Sequence, residues 1–139
     1  KVGVTKKGVE SIAKNLPNLI SLDLSPGPGP NQLGTAAVGV IVKGLNKLIR
    51  LSIRNSSLMQ EHSKNIGDSG IELIAAGLPQ LVKLDVRECG VTDRGLESIV
   101  QGLPGLQELD IGKPSIYLRA QSGNHWQQSF SYQQAGRPD

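Results

Sequence analysis

Side chains able to do covalent or metal chemistry are scarce in this chain: one Cys, Cys89, and two His, His62 and His125. A thiol nucleophile needs a base to hold it as thiolate. No His falls near Cys89 in the repeat register, so the sequence predicts a structural thiol and not a nucleophile. Neither His has a Cys or His partner at metal-ligand spacing, and both read as solvated loop residues. The run GPNQLGT at Gly29 to Thr35 comes close to the phosphate-loop pattern G-x-x-x-x-G-K-[ST]. It lacks the Lys, and Pro26, Pro28 and Pro30 remove N–H donors from the region that would cradle a phosphate. A stiff surface loop is the reading, with a degenerate nucleotide-binding protein as a remote alternative. Asn55-Ser56-Ser57 fits a glycosylation triplet, which matters only in a secretory compartment. The expectation is therefore a chain without catalytic residues, metal or cofactor.

What remains is a set of polar residues with a spacing of two. Alternation along short strands places Asp23, then Arg50, Ser52 and Arg54, then Lys83, Asp85 and Arg87, then Glu108 and Asp110 outward on one face. Ser21 and Ser25 fall on it as well. Arg50, Arg54, Lys83 and Arg87 make its centre basic, with Asp85 among them and Asp23, Glu108 and Asp110 to the sides. One reading is cross-strand charge pairing that keeps the face soluble. The other is a polar protein-binding surface with Arg anchors, whose partner presents an acidic patch.

The elements that position these residues repeat four times: ESIAKNLPNLISLDL, GVIVKGLNKLIRLSI, ELIAAGLPQLVKLDV and ESIVQGLPGLQELDI. Within each, apolar residues fall at i, i+3, i+4 and i+7, as in Val9, Ile12, Ala13 and Leu16. The same spacing holds for Val38, Ile41, Val42 and Leu45, for Ile71, Ile74, Ala75 and Leu78, and for Leu96, Ile99, Val100 and Leu103. That is one amphipathic helix per unit. The period then switches to two, with Leu22, Leu51, Leu84 and Leu109 at equivalent places in four short strands. Strands separated by helices run parallel, so the pattern predicts an α/β solenoid of about four repeats whose units bury their apolar faces against one another. Turn signals VTKKG, LGTAA, IGDSG and VTDRG open the units, with Thr5, Thr92 and the Asp68 region as expected sources of capping oxygens. Spacings of 29 and 33 residues against 25 place insertions around 25 to 32 and 57 to 65, both between a strand and the next helix.

Aromatic content is only 3%, so aliphatic side chains must build the core; all four aromatics, Tyr117, Trp126, Phe130 and Tyr132, follow Gly112. The segment 113 to 139 is rich in Gln and Ser and is expected to be mostly irregular, with Ile116, Tyr117 and Leu118 placed to begin a cap. Net charge is +3, unevenly spread: residues 1 to 55 hold eight Lys/Arg against two Asp/Glu, and residues 56 to 112 hold four against nine. No basic run is interleaved with aromatics, so nucleic acid is not an expected partner. The single Cys, with neither a signal-peptide pattern nor an 18-residue apolar run, points to an intracellular protein of cytoplasm or nucleus and not to a membrane. The chain opens at Lys1, already inside a repeat, and so reads as a fragment or processed piece.

The stretch LVKLDVRECGVTDRGLESIVQGLPGLQELDI, with Cys89 three residues after Val86, resembles the cysteine-containing leucine-rich repeat of F-box substrate receptors and related proteins. IGDSG in the preceding unit is similar to the ribonuclease-inhibitor subtype. The resemblance covers roughly residues 4 to 112. It implies a right-handed βα superhelix with parallel strands on a concave face, in units of about 4–27, 33–56, 66–90 and 91–112, followed by the tail. It further implies a non-catalytic module that binds a protein through that face and the adjoining loop rim. The alternative is the substrate-recognition segment of an F-box-type ubiquitin-ligase receptor, which requires an F-box upstream.

Overall fold

A computed structural model describes residues 4–24, 33–53, 66–112, 116–120 and 126–130. Four helices, α1 (Lys6–Asn15), α2 (Thr35–Gly44), α3 (Gly67–Gly77) and α4 (Asp93–Gly102), alternate with four strands. The strands are β1 (Ser21–Asp23), β2 (Arg50–Ser52), β3 (Lys83–Asp85) and β4 (Glu108–Asp110), and each pairs in parallel with the next. Register is fixed by the central leucines: Leu22, Leu51, Leu84 and Leu109 stand side by side, all buried. A shift by one residue would turn this row out to solvent and the charged rows into the core. Leu24, Ile53 and Val86 continue the buried set, and the strand leucines share one hydrophobic cluster with Val9, Val38, Ile41, Ile71, Ile74 and Ile99 of the helices.

How the helices approach one another is set by a recurring glycine. Gly44, Gly77 and Gly102 stand just before the last Leu of their helical stretches. A Cβ at Gly44 would come within 2.6 Å of the Ala13 Cβ, one at Gly102 within 2.8 Å of the Ala75 carbonyl oxygen, and one at Gly77 would overlap Val42. Helices α2, α3 and α4 thus each pack the C-terminal turn directly onto the preceding helix, which a side chain would forbid. In α1 the same place is held by Asn15, which is exposed.

Two of the expected apolar positions lie open. Leu16 is 51% exposed, whereas its equivalents Leu45, Leu78 and Leu103 are at 0%. Val100 is 46% exposed, although Ala13, Val42 and Ala75 at that position each meet the glycine of the following helix. Interior units are covered on both sides; among the described residues, α1 has no helix before it and α4 none after it.

The capping expectation is corrected. Thr5 and Thr92 occupy N-cap positions of α1 and α4, but neither makes a side-chain capping bond. Asp68 lies inside the first turn of α3, beyond the N-cap residue Ile66. Its carboxylate instead accepts the Thr92 N–H at 2.9 Å and the Thr92 hydroxyl, which ties the start of α3 to the start of α4.

The tail expected to be mostly irregular contains two further strands, β5 (Ile116–Ala120) and β6 (Trp126–Phe130). They extend the sheet as an antiparallel pair beyond β4, in the order β1-β2-β3-β4-β5-β6. The cause is non-local: the free edge of β4 offers N–H and C=O groups that a following segment can pair. The other tail residues lie outside the described set.

Candidate functional site

The side chains at either end of each three-residue strand stand opposite the leucine row. Strand register sorts them into two lines. The first runs Ser21, Arg50, Lys83 and Glu108; the second runs Asp23, Ser52, Asp85 and Asp110. Adjacent members are about 4.8 Å apart, the spacing of paired strands. Of the nine residues expected on this face, these lines contain seven, and Arg87 stands two residues beyond Asp85. Arg54 lies outside the described residues, as do His62, His125, the Asn55-Ser56-Ser57 triplet, both insertions and Gly29, Pro30, Asn31 and Gln32 of the phosphate-loop-like run.

Exposure falls along the second line. Asp23 is exposed, Ser52 and Asp85 are half-buried, and Asp110, expected to face solvent, is buried. Strand β5 flanks β4 on its far side, pairing Asp110 with Tyr117. The Asp110 carboxylate accepts the Gly112 N–H at 3.0 Å and meets Arg87 Nε at 3.3 Å, so its charge is satisfied within the fold.

Arg87 is the most constrained cation. Its Nε donates to Asp85 Oδ1 at 3.0 Å and a terminal nitrogen to Asp85 Oδ2 at 2.7 Å. With Asp110 it forms a compact, partly buried triad, a geometry in which Arg uses its planar fork. Lys83 faces Glu108 at 3.5 Å with both side chains about half exposed, a pair of the weak kind. Arg50 is exposed, and among the described residues it has no ionic partner. The expected basic centre is therefore divided: Arg87 is held by two carboxylates, Lys83 loosely by one, and Arg50 by none.

Two open hollows lie over this face. One, of about 230 Å³, is lined over β1–β3 by Ser21, Asp23, Arg50, Ser52, Lys83 and neighbouring residues. The other, of about 280 Å³, lies over β3–β4 and includes Glu108 and Asp110. Ser21 was legible as an outward position of the first strand, and its part in the first hollow follows from the register with Arg50.

Cys89 sits on the adjoining turn with no exposed surface. Its Sγ lies 3.0 Å from the Ile53 carbonyl oxygen, and its own carbonyl accepts the Gly67 N–H at 2.7 Å. It joins the turn after β3 to the residue following β2 and to the start of α3. Among the described residues, no group of three or more His, Cys, Asp or Glu is placed to hold a metal ion. No described helix is long and apolar enough to cross a membrane.

No curated protein matches the chain. Residues 78–100, from the end of α3 through β3 and the Cys89 turn into α4, match the family described as Leucine Rich repeat, which supports a leucine-rich repeat protein.

Proposed function

We infer that this chain is a non-catalytic protein-interaction module whose binding surface is the polar sheet face and the adjoining turns. The observation that carries the reading is the register: eight polar side chains from four parallel strands are aligned in two lines on one face. A repeat match favours the same function class, since such scaffolds present extended surfaces to protein partners. On this reading the strands form the concave side of a right-handed arc in the ribonuclease-inhibitor-like class. The cysteine-containing subtype draws support from Cys89, whose buried thiol reaches the Ile53 carbonyl just after the preceding strand. An intracellular setting suits a free thiol.

Amide hydrogen exchange of the isolated chain and of a purified complex tests the reading. Protection on binding is expected in β1 to β4 and the turns that follow them. Protection confined to the outer surfaces of the helices would reject the sheet face as the site.

A further inference from the structure

The two hollows differ in sign. The first holds Arg50, Lys83 and Arg87 against Asp23 and Asp85; the second holds Lys83 and Arg87 against Asp85, Glu108 and Asp110. Three cations against two carboxylates become two against three, so the excess charge reverses across β3.

Within the first hollow, availability separates the cations. Arg87 is occupied by Asp85 and Asp110. Arg50 stands beside Lys83 in register, and two like charges on neighbouring strands repel. Glu108 relieves Lys83 only weakly, and no described residue relieves Arg50. Ser21 flanks Arg50 on the other strand, Ser52 lies on the adjacent line, and both line the same hollow. The Arg50 guanidinium, the Lys83 ammonium and the Ser21 hydroxyl are together a donor set for a carboxylate. The excess of one positive charge matches a monoanion. A phosphate dianion would bring a second negative charge towards Asp23 and Asp85.

Building on the interaction-face reading above, we propose that the hollow over β1–β3 is a carboxylate subsite that seats an Asp or Glu side chain of an acidic partner segment between Arg50 and Lys83. Ser21 donates a hydrogen bond to it. Glu108 competes for Lys83 and so limits the affinity of the subsite.

The test is an NMR titration of the isotope-labelled chain with a terminally blocked Glu-Ala repeat peptide, its Gln-Ala counterpart and inorganic phosphate. Saturable shifts are expected at the Arg50 side-chain N–H and at the Ser52 and Lys83 amides with the Glu peptide alone. Arg50→Ala should weaken binding roughly fivefold, and Glu108→Gln, which frees Lys83, should strengthen it roughly twofold. Shifts elsewhere on the sheet face, with Arg50 silent, would overturn the subsite and leave the interaction face standing. Shifts confined to the lysines of α1 and α2 would overturn both. An equal response to the Gln peptide or to phosphate, no response to the Glu peptide, or unchanged affinity in Arg50→Ala would also overturn the subsite.

Discussion

Asp68 shows how one side chain can connect two repeats. Burial disfavours its charged form, but the Thr92 hydroxyl and N–H, the Arg94 guanidinium and the Gly95 N–H together outweigh this and hold its carboxyl below the ordinary value of 3.8. A folded-state value below the unfolded one means that this link contributes fully above the unfolded value and is lost as pH falls through the folded value. Asp68→Asn should therefore lower stability at neutral pH. It should also flatten the fall in melting temperature between about pH 5 and pH 2 relative to wild type, read by thermal melts across that range. Cys89 belongs to the same scale. With no exposed surface, its thiol should react with a labelling reagent only as fast as the chain opens, far more slowly than in denaturant. Labelling of the native protein at the unfolded rate would contradict its place in the turn.

At the scale of elements, the leucine row and the helix-end glycines make opposite demands on side-chain volume. Leu84 is central in its row and buried, so Leu84→Ala should cost about 2–5 kcal/mol in chemical denaturation. Gly39 and Gly102 are both helical, yet a Cβ at Gly39 meets nothing within 4 Å while one at Gly102 meets backbone. Gly39→Ala should accordingly stabilise by about 0.5–1 kcal/mol. Gly102→Ala should destabilise by about 1–3 kcal/mol through overpacking. The alternating elements were legible in the sequence because each carries its own periodicity: Ile71, Ile74 and Leu78 on a helical stripe, Lys83, Leu84 and Asp85 on a strand. The helix-start chemistry was not. Thr92 has an N-cap's type and position, but whether its hydroxyl turns to its own helix or to Asp68 depends on the neighbouring repeat. The outward phase of the site residues was legible for the same reason as the strands, whereas the burial of Asp110 and the sequestration of Arg87 depend on contacts between strands.

For the whole molecule, the sheet continues where the helices stop. The polar tail carries no helical stripe, so its strands were not legible beyond the Ile116-Tyr117-Leu118 run; they form by pairing on β4. Truncation after Leu118 removes β6 and cuts β5 short. It should lower the melting temperature, while an unchanged value would mark the hairpin as dispensable. On the sheet face the charges separate into an Arg50 and Lys83 side and a Glu108 and Asp110 side, a division that cuts across the chain's halves because Lys83 lies in the acidic one. Lys6 and Lys7 lie instead on α1, outside that face. The decisive measurement is the affinity of a purified partner complex for wild type, for the Arg50→Glu and Lys83→Glu double variant, and for the Lys6→Glu and Lys7→Glu double variant, each shown to melt as wild type does. An interaction module working through its strands predicts that the first double variant loses binding while the second keeps it. Equal losses, or a greater loss from the α1 pair, would contradict the assignment of function to the sheet face.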